Sequence, residues 1–559
     1  MKIYKVKVLL FAVFALTACD YLDFDESTGE PKEYWYSYFN TSRQLVNYHY
    51  SKLYQDFGNV GNATLDCASD DAEYVYSNSA IQAFNDGSWS AINVRDTRWD
   101  ISYNAIRSIN DFLKTYAETD FSRFQYNQNY EEELFKNESL PYEARLLRAL
   151  YLFDLAKRYG DIPMPLTVLS VEEANSIEPT PFDDVIDFIV EECDATAQEL
   201  PWVYTTDIGE TGRVTKGVAI ALKSRVLLYA ASKLHNPNND ISKWEAAAKA
   251  AFELISDVDN PYSLEGDINK DITNIVESQS PELIMIRRNS DSNYFEKNNY
   301  SIGFEGGNTG ICPSQNLVDA FQTNNGYDVS LTESGWDSDD PSFDETNPYV
   351  DRDPRFYKAV LYNGAVYKNR PMEIYEGGMD GLPIQGASLT GYYLKKYLIE
   401  NLDLSPGIDQ KDKHHWIIFR YAEILMNYAE AMNEAYSPDF TNSELTMSAT
   451  TALNMIRQRA QMPLVSGLSQ EEFKAAIVQE RRVEFAFEGM RFWDIRRWMI
   501  GNNTQQNLYG ARVVRDISGN DQYELKLVEN RVWDEKMNLY PIPQQERFIN
   551  PNLDQNSGW

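Results

Sequence analysis

The chain has 559 residues, 43% of them hydrophobic, and a formal net charge of −34. That length and apolar content allow a sizeable buried core, while so acidic a surface repels phosphate backbones and excludes nucleic acid as a partner. Beyond Cys19 the cysteines are Cys67, Cys193 and Cys312, an odd and widely spaced set that does not describe a disulfide framework, so at least one is expected to be a small buried hydrophobe.

In chain order, Lys2, Lys5 and Lys7 precede the apolar run Val8 to Leu16, a charged region followed by a stretch too short to span a bilayer. Leu16-Thr17-Ala18-Cys19 then places small residues directly before a cysteine, as in a bacterial lipoprotein cleavage box. Residues 1–18 are therefore expected to be a signal peptide and Cys19 the lipidated N-terminus. A single acyl chain gives only marginal membrane binding, so durable attachment calls for the multiple chains usual on such proteins. Asp20, Asp23, Asp25 and Glu26 make residues 19–30 an acidic, solvated tether.

No long Pro/Gly/Ser linker divides residues 31–559, which read as a single body. Apolar spacing predicts helices near Ser42 to Phe57, Thr97 to Ala117, Pro141 to Arg158, Asp183 to Leu200, Thr215 to Lys233 and Lys243 to Ser256. Others follow near Ile418 to Ala435, Ser443 to Arg459 and Gln470 to Trp498. Several fall in pairs with short connections, the arrangement of stacked helical hairpins. The expected fold is all-α dominated with minor β structure, its helical scaffold at about 40–260 and 405–500. Between them, about 261–404, the texture turns to Gly, Asn, Tyr and Asp. Loops held by a rigid scaffold are where binding residues concentrate, so the ligand is sought there and in the loop before Thr97. In the last helix Ala476, Val483, Phe487 and Met490 trace one buried face, and Glu484, Glu488 and Asp494 each have an arginine three positions away, at Arg481, Arg491 and Arg497. That spacing predicts a ladder of ion pairs along the helix.

With 37 Tyr, 26 Phe and 11 Trp the chain is rich in aromatic planes, on which the C–H faces of sugar rings stack while their hydroxyls pair with Asp, Asn and Arg. Trp89 and Trp336 stand in polar, turn-rich segments outside any helical stripe and are the foremost platform candidates, with Tyr294 and Tyr327 beside them. Asp71 and Arg95 are candidate hydroxyl partners near Trp89. Trp99, by contrast, shares a helical face with Tyr103, Ile106 and Asn110 and belongs to the core. Glycoside hydrolysis needs two carboxyls facing each other about 5 to 10 Å apart, whereas Glu484 and Glu488 share one helix with arginines beside them. No GxSxG, HExxH, P-loop or GxGxxG arrangement is present, and the chain is not read as an enzyme. Asp337, Asp339 and Asp340 offer oxygen ligands for calcium, but EF-hand spacing fails at Pro341, so no cofactor is assigned. His414 and His415 are adjacent and point to different sides, which is poor geometry for a metal.

Seven blocks in order carry a likeness to a known family: Tyr103, Ile106 and Asn110; Glu143-Ala144-Arg145-Leu146-Leu147-Arg148-Ala149 through Tyr159-Gly160-Asp161-Ile162-Pro163; Gly212-Arg213-Val214-Thr215-Lys216-Gly217; Arg352-Asp353-Pro354-Arg355-Phe356; Arg420-Tyr421-Ala422-Glu423 through Ala431; Leu453 to Arg459; and Glu480 to Trp498 with the closing Asn550-Pro551-Asn552-Leu553-Asp554-Gln555-Asn556. In these the chain resembles the SusD/RagB family of surface lipoproteins, which capture nutrients, mostly glycans, in Bacteroidetes-type bacteria. The resemblance implies a tetratricopeptide-like core and a ligand-side aromatic from the region of Trp336. It also implies an outer-membrane, lipid-anchored protein facing the cell exterior, with a SusC-like TonB-dependent β-barrel transporter as partner. Oligo- or polysaccharide binding is the expectation. Peptide capture of the RagB-like kind is the alternative, and a secreted glycoside hydrolase is a third class.

Overall fold

The computed structural model describes residues 32–204, 212–265, 280–408 and 410–559, so the signal peptide, Cys19 and the tether lie outside the described residues. The helix Trp99–Tyr116 buries Trp99, Ser102, Ala105, Ile106, Ile109, Asn110 and Phe112, a stripe at three- and four-residue spacing. That stripe packs on Leu140–Tyr159, which packs on Phe182–Ala197, then Lys216–Ala231, then Ile241–Ser256. Here the chain leaves the helical array for well over a hundred residues. Yet Ile241–Ser256 packs directly on Tyr421–Ala435, and the array resumes through Ala449–Arg459 and Gln470–Glu484. Two distant halves of the sequence thus form one scaffold of antiparallel, tetratricopeptide-like hairpins. Its inner members, Lys216–Ala231 and Tyr421–Ala435, are buried nearly all round because they have helices on both sides. Among the described residues no helix is long and apolar enough to cross a membrane.

The loop-rich region is bracketed by one ribbon. Leu283–Arg288 pairs antiparallel with His415–Arg420, joining Arg288 to His415 and Ile286 to Ile417, so the excursion begins and ends at the same place on the scaffold. The described strands form seven two-stranded antiparallel sheets and no larger one. The longest joins Asn507–Arg515 to Asp521–Asn530. Its outer edge is covered where Ala511 donates to the Thr390 carbonyl at 2.8 Å. Gly391 fits there because a Cβ would lie 2.1 Å from the Ala511 oxygen.

Most helix boundaries lie within about three residues of those expected, but the first of these helices, Phe39–Ser51, ends six positions before Phe57 and Ala449–Arg459 starts six positions after Ser443; Ser469 completes a capping box with Glu472 at the start of Gln470–Glu484. The long final helix is corrected, however. It divides into Gln470–Glu484 and Met490–Arg497, with Phe487 at φ 62° and Gly489 at φ 72° turning the chain between them.

The expected ladder is largely lost as well. Only Arg497 keeps its neighbour three positions away, Asp494, at 2.7 Å. Glu484 instead meets Arg420 at 2.7 Å, Arg355 at 2.8 Å and Arg459. Glu488 meets Arg420 at 2.8 Å and Lys396 at 2.7 Å. Arg481 turns to Asp494 at 2.8 Å and Arg491 to Asp70 at 2.8 Å. All of these acids and arginines are buried except Arg459, which is half-buried, and a buried charge without a partner costs several kcal/mol, so the tertiary fold pairs them across elements rather than along one helix. Burial alone would push the Glu484 carboxyl up, but Arg459, Arg420 and Arg355 outweigh it and hold the group far below its usual range.

Cys67, Cys193 and Cys312 are free thiols in the core. His414 points inward to Glu296, with Nε2 2.7 Å from Oε1. No group of three His, Cys, Asp or Glu that could hold a metal ion occurs among the described residues. In the candidate calcium loop the Asp340 carboxylate is already engaged, accepting from the Ser342 amide at 2.9 Å and hydroxyl at 2.7 Å.

Candidate functional site

The two tryptophans expected as platforms are core residues. Trp89 is 2% exposed, its ring 4.7 Å from Phe84, 5.1 Å from Tyr540 and 4.6 Å from Trp559. Its turn-rich loop is roofed by the C-terminal segment. Trp336 is 6% exposed, on a short strand with Tyr349 5.5 Å and Tyr523 6.1 Å away. Asp71 is corrected as well: it is fully buried and bound to Arg482 at 2.7 Å. Arg95 serves its own loop, donating to the carbonyls of Ala80 at 3.1 Å and Val94 at 3.0 Å. Tyr327 is exposed in a separate turn, where the neighbouring Gly326 abuts Pro463.

Tyr294 belongs to a different assembly. It opens the helix Tyr294–Asn299, and its hydroxyl donates to Oδ1 of Asn62. Gly58, at φ +76°, lets that loop approach, since a Cβ there would stand 3.4 Å from the Tyr294 ring. One turn along the helix, Asn298 donates its amide to the Tyr294 carbonyl at 2.9 Å. From the other side, strand Ala72–Tyr74 pairs with Ile311–Pro313 and delivers Tyr76 to the same place. The Tyr76 hydroxyl donates to the Asn308 carbonyl at 3.0 Å, and the Asn308 amide donates to the Lys297 carbonyl at 3.0 Å.

Tyr76 and Tyr294, 37% and 48% exposed, therefore flank one short helix, with Asn62, Asn298 and Asn308 around them. Both rings are held by their hydroxyls, so little rotamer entropy remains to be lost when something stacks on them. Burial and the nearby Cys312 raise the Tyr76 phenol above its ordinary value, which keeps it a neutral donor. The arrangement presents two aromatic planes with amide donors and acceptors at their edges, on an open face rather than in a cavity. Half-open clefts lie elsewhere: one of about 310 Å³ bordered by Tyr50, Arg213 and Arg287, and one of about 270 Å³ bordered by Trp99, Tyr103 and Glu546.

Sequence reasoning named Tyr294 but missed Tyr76, Asn62 and Asn308. The available signal was Tyr74-Val75-Tyr76 running into Ser77-Asn78-Ser79, where two tyrosines on one side of an extended stretch lead out of the strand into a polar turn that leaves the second exposed.

Residues 281–559 match the model of the SusD family. The SusD-like protein P25 of Formosa agariphila is 24% identical over 99% of this chain and 98% of its own length. A solved SusD-like protein from Bacteroides fragilis superposes with a TM-score of 0.79 at 27% identity, covering 95% of this chain and 99% of that one. A second structure from the same species, a SusD-like carbohydrate-binding protein, gives a TM-score of 0.74 at 25% identity over 93% and 100%. By sequence blocks, helical architecture and these likenesses together, the chain belongs to the SusD family.

Proposed function

We propose that this protein binds oligo- or polysaccharide without catalysis on the face of Tyr76 and Tyr294, is lipid-anchored at Cys19 on the outer membrane, and hands its ligand to a TonB-dependent β-barrel. The observation that carries the reading is the pair of tethered, half-exposed rings fringed by amides. It is supported by the likeness to a carbohydrate-binding relative and by the cleavage box before Cys19. Two stacked rings at about 1 kcal/mol each and a few hydrogen bonds at about 1 kcal/mol each give roughly millimolar to tens-of-micromolar affinity. Such weak capture serves import when a second surface closes over the ligand at high effective concentration, which is the part assigned to the barrel. Glu484 and Glu488, enclosed by Arg355, Arg420 and Arg459, are in no position to act on a substrate.

The test is an affinity-gel and array screen of glycans and peptides against the unlipidated chain starting at position 19 with Cys19→Ala. Retention on one glycan class is expected, with Tyr76→Ala and Tyr294→Ala each weakening it about tenfold at unchanged melting temperature. Undiminished binding by the double variant would move the site elsewhere, and retention of peptides alone would transfer the reading to the RagB-like alternative.

A further inference from the structure

The described chain begins with an exposed cluster of rings. Tyr34 on the helix Lys32–Tyr36 lies 5.4 Å from Tyr38, and Tyr38 lies 5.7 Å from Phe124. Arg123 covers both, its guanidinium 4.7 Å from the Tyr38 ring and 4.6 Å from the Phe124 ring, while it donates to the Ser37 carbonyl. Tyr34 is 38% exposed, Tyr38 43%, and Tyr126, two positions beyond Phe124, is 90% exposed. The bases of the rings are rooted in the core by Phe39, stacked 4.5 Å from Phe121. Tyrosines with a half-exposed ring and a polar hydroxyl, gathered about an arginine that has no carboxylate partner among the described residues, have the chemistry of groups that settle at a membrane–water boundary.

Position in the chain says what lies opposite. Lys32 stands thirteen positions after Cys19, and a fully extended stretch of that length reaches at most about 45 Å. A body anchored at Cys19 therefore holds this cluster close to the bilayer at all times. We propose that Tyr34, Tyr38, Phe124 and Tyr126, grouped around Arg123, seat the body on a zwitterionic lipid surface beside its anchor. The proposal rests on the anchor reading for its geometry but not for its chemistry. The net charge of −34 and the acidic first turn Glu131, Glu132 and Glu133 of the neighbouring helix disfavour a strongly anionic surface, which is why the lipid is zwitterionic. Aromatic burial at the interface, with Arg123 at phosphate level, supplies the attraction. Held this way, the body has a preferred orientation and not only a tether.

The experiment is flotation of the unlipidated chain, starting at position 19 with Cys19→Ala, with phosphatidylcholine vesicles and with vesicles rich in phosphatidylglycerol. Recovery with phosphatidylcholine vesicles is expected, changing little with salt, and the variant Tyr38→Ser/Tyr126→Ser should lower the partition coefficient about tenfold at the same melting temperature. Tyr126→Ser alone, at a site with almost no packing, should give part of that loss. Absence of flotation, equal flotation of the variant, or binding confined to phosphatidylglycerol vesicles would overturn the proposal. So would a dimer in solution that the double variant abolishes, since the rings would then face a second copy. Fatty-acid labelling of the full chain reports on the anchor separately, so its failure and the failure of this surface cannot be confused.

Discussion

Arg491 grips Asp70 with two hydrogen bonds, Nε to Oδ1 at 2.8 Å and Nη2 to Oδ2 at 2.9 Å, joining the last scaffold helix to a loop 421 positions earlier. Burial pushes the Asp70 carboxyl up, but Arg482 and Arg491 more than cancel this and hold it at about 2. The pair therefore contributes fully above pH 4 and is lost as the pH falls toward 2. Arg491→Ala should destabilise by roughly 3–5 kcal/mol, read from the urea midpoint, because it leaves a buried charge short of its partner. The variant should also lose less stability than the parent between pH 4 and 2. A cost below about 1 kcal/mol would show that Arg482 alone suffices for Asp70.

Asp66 runs the other way. It is fully buried, and burial with the neighbouring Asp71 raises it from 3.8 to about 7. Its folded value lies above its unfolded one, so its contribution is complete below pH 4 and is lost as the pH rises through 7. Asp66→Asn cannot ionise. It should match the parent near pH 4 and exceed it at pH 8 by on the order of 4 kcal/mol, seen as a higher melting temperature only on the alkaline side. Parallel melting curves for the two proteins from pH 4 to 8 would contradict this.

Trp336→Ala should behave as a core truncation. A loss of roughly 3–5 kcal/mol is expected, with glycan affinity of the folded fraction unchanged, because the ring fills space against Tyr349 and Tyr523. Calorimetry and affinity gels on one preparation separate the two effects. A stable variant that has lost its ligand would return Trp336 to the binding surface.

Cys19→Ala should abolish incorporation of labelled fatty acid and shift the protein from the membrane fraction to the soluble one. Continued labelling would place the anchor at another residue.

Helices were legible in the sequence because the signal for a helix is local. A stripe such as Trp99, Ile106 and Asn110 is written into one stretch of chain, and whichever surface it meets, that side faces inward. The lipoprotein box and the acidic run after it are likewise strings of neighbouring residues, and they defined an expectation without any fold. Exposure of a loop is not local. Trp89 and Trp336 sit among polar turn residues, yet Tyr540, Trp559, Tyr349 and Tyr523 arrive from elsewhere to cover them. The same holds for charge. Spacing alone matched Glu484 with Arg481 and Glu488 with Arg491, but Glu488 falls in the break between the two helices, and even within one helix burial rewards whichever partners the packed scaffold brings within reach. Sequence by itself determined the periodic elements and the family. Only the tertiary structure decided which rings meet water, because solvent exposure is set by residues brought in from other parts of the chain, as Tyr540 and Trp559 are over Trp89.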